Sequence, residues 1–145
     1  MRPSTIIIGC DHAAYALKEI LKARLIQEGF EVEDAGAFGP QSVDYPRIGM
    51  EVAAKVSQGS CPRGILLCGT GLGMSMVANR FAHVRAALCN DLFSAIMSRR
   101  HNDANILVMG GRVIGSGIAT EMLEIFLKTE FEGGRHKSRL DQIDG

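Results

Sequence analysis

The stretch Gly64-Ile-Leu-Leu-Cys68-Gly69-Thr70-Gly71-Leu72-Gly73 decides how this chain folds. Its apolar residues 65–68 predict a buried strand, which passes through a glycine-rich turn into a helix expected over residues 73–81. A strand-to-helix turn of this kind is typical of parallel α/β sheets. The turn also places the Cys68 thiol beside backbone N–H groups that can hold a phosphate or a developing oxyanion.

The same alternation of strand and helix continues on both sides of this stretch. Apolar segments predict five strands, at residues 4–10, 30–35, 65–68, 84–89 and 106–109. Helical patterns follow them at residues 13–28, 47–58, 73–81, 92–100 and 114–128, and residues 129–145 are a polar tail. Strands that alternate with helices lie parallel and are joined by right-handed crossovers. We therefore expect one α/β domain over residues 1–145, with a five-stranded parallel sheet between two helical layers.

The composition is that of an ordinary globular protein, with 46% hydrophobic and 22% charged residues. Sixteen basic side chains balance sixteen acidic ones, so the charge pattern of a general nucleic-acid binder is absent. No apolar run approaches the ~18 residues of a membrane span, and the start of the chain lacks the features of a signal peptide. We expect a cytoplasmic protein that binds neither nucleic acid nor membrane.

The four cysteines form no CxxC pair, so the sequence does not indicate a zinc or redox centre. We expect Cys10, Cys61 and Cys89 to be buried, inert thiols in a reducing compartment. Cys68 differs because it precedes the glycine-rich turn. Amide dipoles favour a thiolate there, so we expect it to transfer protons, although core packing is an alternative.

Ligands of parallel sheets bind beyond the carboxyl ends of the strands. Several predicted strands are followed there by polar or glycine residues, namely Asp11, His12, Cys68 to Gly73, Asn90, Asp91 and Arg112. Because these residues come from distant parts of the chain and should meet at one edge, their convergence is stronger support for a site than any single motif.

The glycine-rich turn matches none of the common phosphate-binding motifs. A GxGxxG fingerprint would need glycine at Met74 and should follow the first strand, and no Gly-Lys-Ser/Thr closes the turn as in a Walker loop. A cysteine phosphatase would need an arginine soon after Cys68. The turn is therefore an anion-binding loop beside a thiol or, as an alternative, a purely structural tight turn.

Other candidates also have structural and functional interpretations. Asp11 is a good helix N-cap, and His12 beside it would face the pocket, able to bind phosphate or move a proton. His101 suits the end of its helix, but that end lies at the opposite edge of the sheet, so a catalytic His101 would reach a neighbouring subunit's site. Arg135 and Arg139 would share one face if their segment is helical, and they would then suit a phosphate, unless the tail is simply solvated.

Together these residues resemble the type B ribose-5-phosphate isomerase family, which also includes subunits of galactose-6-phosphate isomerase and allose-6-phosphate isomerases. The matching segments run in order along nearly the whole chain: 9–13, 43–46, 65–75, 78–80, 98–105, 111–112 and 131–136. The resemblance implies a Rossmann-like three-layer α/β/α sandwich without metal or organic cofactor. It also implies a homodimer or tetramer with shared active sites. In that assembly the tail 129–145 docks against a partner subunit.

The resemblance further implies an intramolecular oxidoreductase of carbohydrate metabolism that interconverts ribose 5-phosphate and ribulose 5-phosphate, a step of the pentose phosphate pathway. Ring opening by His101, with Asp11 nearby, would precede a cis-enediolate formed by Cys68, the base that moves a proton between C2 and C1. Thr70 and the amides of Gly69, Gly71 and Gly73 would stabilise the enediolate. The implied sugar or phosphate ligands are His12, Tyr45, Asn102, Arg112, Arg135 and Arg139.

Two alternatives stay open from the sequence. One is an isomerase of a six-carbon aldose phosphate, such as allose 6-phosphate or galactose 6-phosphate. The other is a non-catalytic phosphosugar-binding subunit of a hetero-oligomer, against which the presence of both Cys68 and His101 argues.

Overall fold

The computed structural model describes residues 4–145 and contains a five-stranded, all-parallel sheet in the order β2-β1-β3-β5-β4. The strands are β1 (Thr5–Cys10), β2 (Glu31–Asp34), β3 (Arg63–Cys68), β4 (Ala86–Leu88) and β5 (Ile106–Gly110). In the sheet, β2 lies on one side of β1 and β3 lies on the other side. The order therefore reverses between β1 and β3, and ligands of such sheets bind in the crevice outside that point.

Helices cover both faces of the sheet. They are α1 (Tyr15–Gln27), α2 (Tyr45–Ser57), α3 (Leu72–Ala78), α4 (Leu92–Arg100), α5 (Ser116–Lys128) and α6 (Arg135–Asp144), and a short 3-10 helix (His12–Ala14) precedes α1. Buried residues of α1, α4 and α5 pack on one face of the sheet, and those of α2 and α3 pack on the other. The expected three-layer α/β/α sandwich is confirmed.

Successive side chains of each strand point to opposite faces of the sheet. In β1, Ile6 and Ile8 belong to the same core as Leu21 and Phe126, whereas Ile7 belongs to the opposite core. All three isoleucines are essentially inaccessible to solvent. Strands buried on both faces read as continuous apolar runs, which is why these segments were recognisable in the sequence.

The largest departure from the sequence-based expectation is the tail. Residues 135–144 form helix α6, where the sequence indicates only polar chain. This helix buries just His136 and Leu140, so its apolar stripe is too sparse to be detected. Its end is held by an ion pair of 2.9 Å between Asp144 and Arg85, which precedes β4.

Smaller differences concern element ends, and the end of α3 has a clear cause. This helix ends at Ala78 rather than at Phe81. The side chain of Asn79 bonds the backbone of Ala86 at both its N–H (2.9 Å) and its C=O (3.0 Å), which ties the chain to β4. Among the helices of residues 4–145, none combines the length and apolarity needed to cross a membrane.

Candidate active site

The loop after β3 brings a backbone amide onto the Cys68 sulfur. The N–H of Gly71 donates a hydrogen bond to Sγ over 3.1 Å. Gly71 has a φ of +83°, and a Cβ there would lie 2.5 Å from Cδ1 of Leu88, so only glycine fits. This hydrogen bond fixes the sulfur at the start of the glycine-rich loop. Cys68 is 5% exposed, beneath a loop whose Thr70 reaches the surface.

The same loop offers further donors. The Leu72 N–H donates to Oγ1 of Thr70 over 3.2 Å, which leaves the Thr70 hydroxyl hydrogen free to donate elsewhere. Gly73 and Met74 lie in the first turn of α3, where amides lack intrahelical acceptors. Within residues 4–145 no acceptor is bonded to either amide. The loop therefore presents several donors close to one thiol.

Backbone hydrogen bonds bring the neighbouring loops to this point. The Asp11 N–H donates to Leu67 O over 3.1 Å, which fixes the end of β1 beside β3. On the other side the Arg112 N–H donates to Gly69 O over 3.0 Å. The Arg112 side chain lies over Gly69, since a Cβ built there would be 3.6 Å from its Cδ. The predicted convergence at this edge of the sheet is thus present.

Asp11 and His12 are both held by local hydrogen bonds. Asp11 Oδ1 accepts from the Ala13 N–H over 3.0 Å, so this side chain caps the short 3-10 helix, as the structural interpretation expects. The Val43 N–H donates to Nδ1 of His12 over 3.3 Å. A neutral His12 therefore carries its proton on Nε2, which is free to donate to a ligand.

Tyr45, the first residue of α2, lies against the loop. A Cβ built on Gly73 would be 2.5 Å from the hydroxyl oxygen of Tyr45. The glycine thus admits the phenol ring directly onto the start of α3. This contact places Tyr45 beside the donors of the loop.

The remaining predicted residues gather at the opposite edge of the sheet, namely His101, Asn102, Arg135 and Arg139. The segment 101–105 joins the end of α4 to the start of β5, and the Glu132 N–H donates to Arg100 O over 3.0 Å, which brings the start of α6 to the same place. Both arginines are exposed. The five residues of β5 span roughly 16 Å between the two edges. One chain therefore does not unite the two groups.

His101 belongs to a compact cluster with His136 and Glu132. The two rings stack with centroids 4.3 Å apart and planes 14° from parallel. Glu132 Oε1 lies 3.8 Å from Nε2 of His101 and 3.5 Å from Nε2 of His136. Burial lowers the pKa of His136, and the neighbouring charges of His101 and Arg135 lower it further.

In the part of the chain that the structure describes, these three residues form the one group with metal-ligand spacing, with ligand atoms within 4.8 Å of one another. A metal prefers to lie in the plane of each imidazole that binds it. Nearly parallel stacked rings cannot both meet that condition, so the arrangement does not suit an ion bound by both rings.

The other three cysteines are buried and unpaired, as expected. Burial raises the pKa of each thiol, Cys10, Cys61 and Cys89, to about 11. These three thiols therefore stay protonated at neutral pH.

Two features of the surroundings were not found from the sequence. Lys18 is fully buried and pairs with Asp34, and Glu132 lies between the two histidines. A weak signal for Lys18 exists, because it occupies the inward face of α1 together with Leu17, Leu21 and Leu25. No comparable signal marks Glu132, which is exposed and lies outside any helix.

A parallel sheet with a thiol and a donor-rich loop at its reversal point defines a Rossmann-like α/β protein with a candidate small-molecule site. The sequence model of the Ribose/Galactose Isomerase family matches residues 6–143. This chain therefore belongs to the ribose/galactose isomerase family, and the expectation of an isomerase is confirmed.

Individual relatives agree over nearly the full chain. Ribose-5-phosphate isomerase B of Escherichia coli is 43% identical over 138 residues, which cover 95% of this chain and 93% of that protein. D-erythrulose-4-phosphate isomerase of Pectobacterium atrosepticum is 40% identical, covering 96% and 92%. The solved structure of ribose-5-phosphate isomerase B from Clostridium thermocellum superposes with a TM-score of 0.95 at 48% identity, covering 97% of this chain and 95% of that chain.

Proposed function

We propose that this protein interconverts ribose 5-phosphate and ribulose 5-phosphate, with Cys68 as the base. The observation that supports this proposal most directly is the position of the Cys68 sulfur. It lies at the reversal point of the sheet and accepts a hydrogen bond from the Gly71 amide. The thiolate removes the proton from C2 of the open-chain aldose and returns it to C1, while the proton of the C2 hydroxyl passes to O1. Relatives of this chain carry the names of ribose-5-phosphate isomerases, which supports that substrate.

The enediolate formed between these two steps carries negative charge on oxygen. The Thr70 hydroxyl and the amides of Gly73 and Met74 are free donors of the glycine-rich loop that follows Cys68. Preorganised donors of this kind stabilise such charge without reorganising during the reaction. Removal of a proton from carbon by a positioned base contributes about 10²- to 10⁴-fold in rate.

Ring opening requires a second acid/base, and we assign it to His101 of a partner subunit. Within one chain His101 lies at the edge opposite Cys68, roughly 16 Å away along β5. Self-association as a homodimer or tetramer would bring the two together. An exposed apolar face supports it: Met50 and Met76 are 50% and 65% exposed, and with Val77, Arg80 and Phe81 they line a groove of about 310 Å³.

The phosphate is assigned to groups from both edges. His12 offers the Nε2 donor, with Arg112 nearby at the same edge. Arg135 and Arg139, four residues apart on α6, would arrive with the partner's tail, residues 129–145. Asn102 and Tyr45 complete the sugar contacts. Guanidinium groups bind phosphate oxygens bidentately, which supplies binding energy remote from the reacting carbons.

Turnover assays on the purified protein test the proposal. We expect the highest kcat/KM with ribose 5-phosphate, compared with allose 6-phosphate, galactose 6-phosphate and D-erythrulose 4-phosphate. The last compound enters the comparison because a relative is named for it. A higher kcat/KM for a four- or six-carbon substrate would show that the assigned sugar is wrong, while the aldose–ketose isomerisation would stand. Binding of phosphosugars without any isomerisation would favour the non-catalytic subunit.

We further propose that residues 1–145 act as one domain in the cytoplasm. The four unpaired thiols suit a reducing compartment. Cell fractionation with an antibody against the chain tests this location, and the protein is expected in the cytosolic fraction.

A further inference from the structure

Lys18 is among the largest completely buried side chains of residues 4–145, and it lies outside the proposed catalytic machinery. Its ammonium group donates to both carboxylate oxygens of Asp34, at 2.8 Å each, and to the carbonyl oxygen of Ala37 at 2.6 Å. Three N–H donors thus have three acceptors. Burying an ammonium is costly unless every N–H donor has an acceptor. The positions of Asp34 and of the Ala37 carbonyl are therefore restrained together with that of Lys18.

Asp34 is held from several directions. Burial alone would raise its pKa, but hydrogen bonds from Lys18, the Gly36 N–H and Lys22 outweigh burial and lower it. The carboxylate therefore stays charged at neutral pH. The pair forms a rigid corner at the end of β2, from which the loop of residues 35–44, here called the β2–α2 loop, departs.

The first part of this loop continues the sheet. The Ala35 N–H donates to Ile8 O over 2.8 Å, and the Ala37 N–H donates to Cys10 O over 2.8 Å. The Phe38 ring then covers the buried ammonium, with Nζ 5.1 Å from the ring centroid. Lys18 therefore fixes both the backbone of Ala37 and the side chain that follows it.

The middle of the β2–α2 loop has little other support. With Arg47, Ile48 and Glu51 of α2 it borders an open cavity of about 840 Å³. The next fixed points are the Val43 N–H on Nδ1 of His12 and the Tyr45 ring on Gly73. Because an open cavity borders the loop between Phe38 and Val43, the position of the loop depends on how firmly its two ends are held.

We propose that Lys18, paired with Asp34, is a positioning residue that anchors the β2–α2 loop so that His12 and Tyr45 meet the substrate in a fixed geometry. The anchoring depends only on contacts within the chain, whereas its kinetic consequence rests on the proposed function. Loss of the anchor should weaken substrate binding and leave proton transfer at Cys68 nearly unchanged.

The test uses the double variant Lys18→Met/Asp34→Asn, which removes both charges together and leaves no unpaired ion in the core. Replacing a buried ion pair by neutral groups is often tolerated in stability, so the fold should persist. Lys22→Met is the matched control, because Lys22 touches Asp34 at 3.1 Å from the partly exposed side and does not bond Ala37.

Hydrogen exchange without substrate gives the first readout. In the double variant, exchange of the Ala37 and Val43 amides should accelerate about tenfold more than that of the β5 amides, which report global opening. In Lys22→Met all of these rates should stay near those of the wild type. Equal acceleration of loop and β5 amides, or none at Ala37, would overturn the anchor whether or not the substrate assignment is correct.

Kinetics give the second readout, with whichever sugar phosphate the wild-type protein turns over. KM should rise roughly tenfold with kcat within about twofold, the signature of lost uniform binding. A fall in kcat at constant KM contradicts the proposal. Should the double variant fail to fold, Lys18→Met alone removes the hydrogen bond to Ala37 O, while Lys22 and the Gly36 N–H still bond Asp34. Unchanged exchange at Ala37 in that variant contradicts the proposal as well.

Discussion

The imidazole of His101 stacks on that of His136, with ring centroids 4.3 Å apart and planes 14° from parallel. His136 is buried and His101 is half-buried, so the inner ring supports the outer one. Glu132 Oε1 lies within 4 Å of Nε2 on both rings. The outer histidine, to which we assign ring opening in a partner subunit, is thus presented on a fixed platform.

This platform should be sensitive to acid. The pKa of His136 is lowered by burial and by the charges of His101 and Arg135. As the pH falls below about 6.5, the unfolded chain binds this proton before the native chain does, so the free energy of unfolding decreases. Above that pH this loss of free energy of unfolding does not occur.

Thermal unfolding of the wild type and of His136→Phe between pH 5 and 8 measures this effect. The wild-type Tm should fall more steeply below about pH 6.5 than that of the variant, which keeps a stacked ring without a titrating nitrogen. Parallel Tm curves for the two proteins would show that His136 does not titrate in this range.

Replacing Cys68 by alanine should lower kcat by about 10²- to 10⁴-fold, because the base is removed. Binding of ribose 5-phosphate, measured by calorimetry, should be retained. Cys61→Ala is the matched control, because Cys61 is also buried but its thiol contacts Glu33 rather than the glycine-rich loop. Near-normal turnover of the Cys68 variant would remove it from the mechanism.

Mixing Cys68→Ala chains with His101→Ala chains should restore activity. Each parent variant lacks one half of every site, whereas a mixed dimer carries one site with both halves intact. Roughly a quarter to a half of wild-type activity is expected, depending on subunit exchange. The absence of any rescue in dimers verified by mass spectrometry would place Cys68 and His101 in separate functions.

Substituting Arg135 or Arg139 by alanine should raise KM about 10- to 100-fold, since a hydrogen bond to a charged group contributes about 1.5–3 kcal/mol. Lys137→Ala on the same helix provides the control. Its ammonium pairs with Asp141 at 3.0 Å on the exposed face, and such surface pairs contribute little. Equal effects of all three substitutions would indicate a general charge effect rather than phosphate ligands.

Gly71→Ala should reduce both stability and turnover. The φ of +83° is unfavourable for alanine, and the new Cβ would lie 2.5 Å from Cδ1 of Leu88, so the amide that bonds Cys68 must move. Gly29→Ala carries the same backbone strain, with φ of +92°, but its Cβ would meet open space. Gly29→Ala is expected to cost about 1 kcal/mol without loss of kcat. Retained kcat in the Gly71 variant would contradict a role for that amide.

Much of this architecture follows from local patterns in the sequence. Apolar runs such as residues 65–68 predict strands buried on both faces, and their alternation with helices fixes a parallel sheet. The meeting of Asp11, Cys68 and Arg112 then follows from topology, because the carboxyl ends of parallel strands share one edge. The placement of His101 at the other edge follows by the same reasoning.

The rest depends on contacts between distant segments that no local pattern encodes. A lysine such as Lys18 in a helix is usually solvated, and only the folded chain shows that Asp34 and Ala37 satisfy it. Likewise, the contact of His101 with His136 depends on how α6 docks, and that helix has only two buried residues. Polar networks of this kind are decided by tertiary packing.

The length of β5 has a consequence for mass action. If the thiol of one chain works with the imidazole of another, an isolated monomer is inert however well it folds. Specific activity then depends on protein concentration, falling on dilution below the dissociation constant of the dimer and recovering when the solution is concentrated again.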